Sequence, residues 1–96
     1  MQNNFTAYHD CLNQSFTLYS DETDHQLELI EVTRLHDGHD ATAPAAFSIV
    51  FRADKDLLLN QGTYRMNNQA LGELDIFIVP IGPDQEGMCY EAVFTG

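Results

Sequence analysis

Two imidazoles and two carboxylates fall within one five-residue run, His36-Asp37-Gly38-His39-Asp40, and a divalent metal is the chemistry such a set can hold. Asp24 and His25 can approach it from the other end of the same strand pair. The spacing matches no established ligand motif, and a Gly-centred loop does not preorganise ligands, so the run reads as a solvated polar loop. Asp21, Glu22 and Asp24 gather oxygen ligands of the kind calcium takes. They lack the alternating positions, central Gly and closing Glu of a calcium loop, and read as a tight acidic turn. Cys11 lies near His9, but residues two apart on a helix point to different sides, so no nucleophile–base pair forms. Cys89 neighbours Tyr90 in a strand and packs as a small hydrophobe. Neither thiol has the electropositive setting that lowers a cysteine pKa. No phosphate-binding Gly loop and no dinucleotide fingerprint occurs. Catalytic, cofactor-binding and metal-ligating residues are therefore all assigned as none, and the chain is not expected to be an enzyme.

Carbohydrate sites use flat aromatic platforms, and there is no Trp. Tyr8, Tyr19, Tyr64 and Tyr90 remain, with Tyr64 and Tyr90 at strand positions suited to the core or its rim. Fifteen acidic residues oppose four basic ones, a formal charge of −11, which repels phosphate backbones; nucleic acid is not an expected partner. No apolar run approaches the ~20 residues of a membrane span, and no basic amphipathic helix suits a membrane surface. The amino terminus lacks the basic patch and apolar core of a signal peptide. These features place the chain in the cytoplasm as synthesised, free or as part of an exported or virion-like assembly. Cys11 and Cys89 are far apart and form no CxxC pair; in a cytoplasmic protein they are read as reduced, partly buried thiols rather than a disulfide.

The elements that position these residues come from alternation. The stretch 62–94 reads as three antiparallel strands joined by turns, and its middle member, residues 72–80, organises the chain. Leu74, Ile76 and Ile78 fall on one face and Phe77 and Val79 on the other, as suits the centre of a closed or sandwiched sheet. Pro80 and Pro83 bracket that strand's end. Residues 15–19 form a short strand with Phe16 and Leu18 on one face. Residues 26–35 form another whose phase slips between Leu27 and Leu29 and Ile30 and Val32; a β-bulge accounts for the slip better than burial on both faces. Residues 46–52 place Phe47, Ile49 and Phe51 inward. Near the amino terminus Thr6 can cap a short helix that puts Phe5, Tyr8, Cys11 and Leu12 on one side, stops at Asn13 and plugs one end of the sheet. Leu57, Leu58 and Leu59 make either a turn of helix or an extended link.

The whole, residues 1–96, is expected to be one all-β domain: a small, mostly antiparallel barrel or sandwich of about six strands with one short N-terminal helix. The expected core is Phe16, Leu18, Leu29, Ile30, Val32, Phe47, Ile49, Phe51, Tyr64, Leu74, Ile76, Ile78, Ala92 and Phe94.

Phe47-Ser48-Ile49-Val50-Phe51-Arg52, Gly62-Thr63-Tyr64-Arg65, Leu71-Gly72, Phe77-Ile78-Val79-Pro80 and Tyr90-Glu91-Ala92-Val93-Phe94 follow in this order. The set resembles a family of short bacterial proteins catalogued as a domain of unknown function, and the likeness runs from about Phe5 to Phe94. Phe16-Thr17-Leu18 and the run from Leu27 through Glu28, Leu29, Ile30 and Glu31 to Val32 resemble its first two strands. The resemblance implies a small β-domain, transfers no functional residue, and associates relatives with genes for phage-tail-collar-like proteins. The expected function is therefore a non-enzymatic structural or assembly module, accessory to a phage-tail-like or surface assembly, whose partner is another protein of tail-collar-like kind. A small-ligand or carbohydrate-binding β-module is the alternative.

Overall fold

Period-two alternation resolves into six strands among the described residues of the computed structural model, 5–21, 23–36 and 46–95. They are β1 (Ser15–Tyr19), β2 (Asp24–His36), β3 (Ala46–Ala53), β4 (Gly62–Asn68), β5 (Gly72–Pro83) and β6 (Met88–Thr95), preceded by one helix, α1 (Phe5–His9). The strands close into an antiparallel barrel in the order β1-β2-β3-β6-β5-β4, which decides between barrel and sandwich. Closure gives every strand one inner and one outer face, so alternate residues of each strand fill a single core. Phe16, Leu18, Leu27, Leu29, Ile49, Phe51, Met66, Leu74, Ile76 and Ile78 are almost wholly buried there.

The slip in β2 is a register shift between Leu29 and Glu31 in its ladder with β3. Leu29 opposes Phe51, while Val32, three residues further along β2, opposes Ile49, only two residues away along β3. Ile30 is the extra residue. It stays half-buried and outside the core cluster, so its expected place in the core is corrected: a bulged residue has no ladder position to carry it inward. Val32, Tyr64 and Phe94 pack against the core from partly buried positions.

β5 departs from expectation at its end. It does not stop at Pro80 but runs to Pro83, with a register shift of its own between Pro80 and Gly82 opposite β6. The bulge absorbs the prolines' missing donors, and Gly82 takes the left-handed φ of 102° that the distortion requires. Its inner face is core, but Phe77 on the outer face is 52% exposed, because a single closed barrel has no second layer to cover it.

β1 is short; its ladder with β2 ends at Glu28, while β2 continues to His36. α1 lies over the end left open. Tyr8 is fully buried and stacks on Phe94 at 5.2 Å and Phe16 at 6.5 Å, with Phe47 tilted against it at 5.9 Å. Thr6 is inside the helix rather than capping it; its carbonyl accepts the Asp10 N–H. Asn13 ends the helical turns with a left-handed φ of 70°, which Asn tolerates. Leu57 to Leu59 form the extended link, held by Tyr90, whose hydroxyl donates to the Leu57 carbonyl and accepts the Leu59 N–H.

Candidate functional site

Among the described residues, those flagged for chemistry are not brought together. His25 and His36 stand at opposite ends of the thirteen-residue β2, and residues 37–40 lie outside the described residues. In the acidic turn the Ser20 hydroxyl donates to the Thr23 carbonyl, and Asp24 opposes Tyr19 as the first rung of β2; Glu22 lies outside the described residues. Among the described residues no group of three His, Cys, Asp or Glu side chains is placed to hold a metal ion.

Both cysteines are buried free thiols. Burial, helped by the nearby Asp10, pushes the Cys11 thiol up, and its Sγ–H donates to Asn68 Oδ1 at 3.6 Å. Burial and then Asp84 push Cys89 up as well. Tyr8 is driven to about 12 by burial and by Cys11. His9 is exposed and stacks on Phe5 rather than serving Cys11. Neither thiol, nor the Tyr8 hydroxyl, is poised to ionise near neutrality.

The arginines are committed to structure. Arg52 grips Asp84 with Nη2 at 2.6 Å and Nε at 3.0 Å and reaches Glu86 at 3.3 Å. That hydrogen-bonded pairing, with N–H donors from Glu86 and Gly87, holds the Asp84 carboxyl well below the usual carboxylate range. Arg65 bridges Asp75 at 2.6 Å and Glu73 at 3.2 Å, and Arg34 lies over the Phe5 ring at 4.1 Å.

What the barrel offers is two walls of opposite chemistry. Outer positions of β3, β6 and β5 carry Val50, Val93, Val79 and Phe77. Phe77 and Val93 are more than half exposed, and Val50 is buried without belonging to the core cluster. Val50 lies between Glu31 of β2 and Glu91 of β6, and Glu91 also opposes Val79. Neither glutamate has a basic partner among the described residues: Glu31 edges the apolar strip on the β2 side, and Glu91 stands within it between Val50 and Val79. Sequence reasoning named Phe77 and Val79 as a second apolar face; only the closed topology shows that this face is left to solvent.

Across the barrel, where β4 meets β1, a cleft of about 510 Å³ is lined by Asn13, Gln14, Ser15, Thr17, Asn67 and Gln69. All six side chains are neutral hydrogen-bonding groups on a strongly acidic chain. Asn68 braces this seam. Its Nδ2 donates to Gln14 Oε1 and the Ser15 carbonyl, both at 3.1 Å, and its Oδ1 accepts the N–H groups of Ala70 and Leu71 at 2.8 and 3.0 Å. Nothing in the residues around Asn68 singles it out in the sequence. Of the four tyrosines, Tyr8 and Tyr90 are fully buried, and Tyr64 is half-buried with its hydroxyl on the Asn60 carbonyl; Tyr19 alone is open to solvent.

No helix among the described residues is long and apolar enough to cross a membrane. No curated protein and no solved structure matches the chain. The family described as a domain of unknown function, DUF6916, matches residues 4–94, and the chain belongs to that family.

Proposed function

For this member of a family without an assigned activity, we propose a non-enzymatic assembly module that docks another protein through the outer wall of β5 and β6. The observation that carries the reading is the exposed pair Phe77 and Val93, with Val79 beside Phe77 and the Glu91 carboxylate beside Val93. Exposed apolar residues gathered on one face favour association. A charge of −11 on every copy opposes self-association and favours a partner whose apolar surface is edged by Lys or Arg. The partner is a tail-collar-like structural protein of a phage-tail-like or surface assembly, as the family resemblance implies. The module is made in the cytoplasm and enters that assembly there.

The test produces the barrel together with a tail-collar-like protein and follows the complex by size-exclusion chromatography. The wild-type barrel should co-elute, and the double variant Phe77→Ser with Val93→Ser should not. The double variant should fold, because substitutions at exposed positions each change stability by only about 0.5 kcal/mol. A complex that survives both substitutions refutes the wall, and no complex with the wild-type barrel refutes the partner class.

The amide-lined cleft between β1 and β4 favours a second reading, a module for a neutral carbohydrate, since uncharged amides and hydroxyls match a polyol's donors and acceptors. Titration with neutral oligosaccharides should then shift the side-chain amide signals of Asn67 and Gln69 in nitrogen-15 NMR spectra. Unmoved signals at millimolar sugar would dispose of it.

A further inference from the structure

The barrel is closed, but its β5–β6 seam, like the two-rung β1–β4 seam, is paired along only part of its length. The β5–β6 ladder runs from Val79 opposite Glu91 to Pro83 opposite Met88 and goes no further. Before Val79, β5 is paired only with β4, from Gly72 opposite Asn68 to Ile78 opposite Gly62. Beyond Glu91, β6 is paired only with β3, from Ala92 opposite Ile49 to Thr95 opposite Ala46. β5 thus changes partners at its midpoint. The β6-facing edge of its first half and the β5-facing edge of the last four residues of β6 have no ladder partner among the described residues. Continuing the register by two residues would set Phe77 opposite Val93, and these are two of the most exposed hydrophobic residues on the barrel's outside.

Barrels ordinarily abolish free strand edges, and a free edge is a template for another strand. Each edge here carries alternate main-chain N–H and C=O groups directed at the neighbour it lacks. At this end α1 packs on β2 and on the rings of Phe47 and Phe94, so it meets the open half of β6 through the inward ring of Phe94. Phe77 and Val93 flank it on the outside, offering apolar contact to every second residue of an incoming strand. Glu91, at the point where the ladder stops, offers a carboxylate to a basic residue.

We propose that the open half-seam between β5 and β6 receives an extended segment of the partner protein by strand addition, with apolar residues on Phe77 and Val93 and a Lys or Arg toward Glu91. This rests on the docking reading above and specifies how the docking is made. Strand addition draws affinity from main-chain hydrogen bonds, which no charge on either protein repels, and selectivity from alternate side chains. It explains how so acidic a domain can hold a partner without a large preformed pocket.

Hydrogen–deuterium exchange on the free barrel is the first arm. The amides of residues 74–78 and 92–95 that the β4 and β3 ladders leave free should exchange fast, while those the β5–β6 ladder pairs, between Val79 and Gly82 and from Met88 to Glu91, are protected. Uniform protection along the whole seam overturns the proposal. The second arm adds overlapping synthetic peptides spanning the tail-collar-like protein. One peptide should slow the open-seam amides at least about tenfold. If the intact partner binds at Phe77 and Val93 but those amides stay fast, strand addition is wrong and the docking reading survives; if the partner does not bind, both fall.

Discussion

Replacing Asn68 with Ala should be among the most damaging single changes at a polar position in this chain. The side chain is 1% exposed and meets three main-chain groups: the Ser15 carbonyl and the N–H groups of Ala70 and Leu71. Each hydrogen bond is worth about 0.5–1.5 kcal/mol net, which sets a range of about 1.5–4.5 kcal/mol for the three. Ala70 is exposed, so its N–H regains water when Asn68 is lost, and the lower half of the range, about 2 kcal/mol, is expected. For a domain of this size that lowers Tm by about 10 °C. Asn68→Asp separates the two ends of the amide. It keeps the acceptor for Ala70 and Leu71 but turns an oxygen toward the Ser15 carbonyl and Gln14 Oε1, so it should also destabilise. Asn67→Ala, one residue away on the outer face, is the control and should change stability by about 0.5 kcal/mol or less. Urea unfolding of the three variants, with equal m-values, measures all of this. If Asn68→Ala unfolds at the same urea concentration as Asn67→Ala, the β1–β4 seam does not depend on Asn68.

Three further outcomes follow from packing and charge. Ile76→Ala, buried at the middle of β5, should cost about 2–5 kcal/mol by urea unfolding, while exposed Glu73→Ala stays within about 0.5 despite its contact with Arg65; equal effects would deny β5 its central place. Gly87→Ala would drive a Cβ into the Ala53 carbonyl oxygen and should lower stability by about 1–3 kcal/mol, so a melting temperature unchanged by the substitution would contradict the close approach of the β5–β6 turn to β3. The Asp84 carboxyl is depressed by Arg52 in the folded state, so its contribution is complete above the unfolded carboxylate's titration near about 4 and is lost as pH falls further. Stability measured from neutral pH down to strong acid should therefore fall less steeply below that point in Asp84→Asn than in the wild type, and superimposable acid limbs would show the pairing to be inert.

Most of the scaffold was legible because a strand with one buried face writes its period into the chain. Phe16 and Leu18, Phe47 with Ile49 and Phe51, and Leu74 with Ile76 and Ile78 all declare the inner wall. The bulge in β2 was legible for the same reason, as a slip in that period. Ile30 was misplaced because periodicity locates a slip without saying which residue is left over. The course of β5 past Pro80 was hidden because proline argues against a ladder unless a bulge takes up its missing donor, and only the partner strand shows that bulge. Asn68 left no trace at all: its importance lies in main-chain groups up to fifty-three residues away. The two walls were half legible. Phe77 and Val79 announced an outer apolar face, but whether a second layer covers it depends on closure, which alternation does not encode. The amide cleft gathers Asn13 and Gln14 with Asn67 and Gln69 across the β1–β4 seam, a long-range pairing of residues that look ordinary one by one.

Isothermal titration calorimetry of the barrel with the tail-collar-like partner, at several temperatures and two sodium chloride concentrations, tests the docking reading most directly. Burial of Phe77, Val93 and Val79 predicts a negative heat-capacity change, and the Glu91 carboxylate predicts an affinity that falls as salt rises. Both signatures should vanish in the Phe77→Ser, Val93→Ser double variant. A heat-capacity change near zero, or an affinity indifferent to salt, would contradict the apolar, acid-bearing wall as the place where this domain meets its partner.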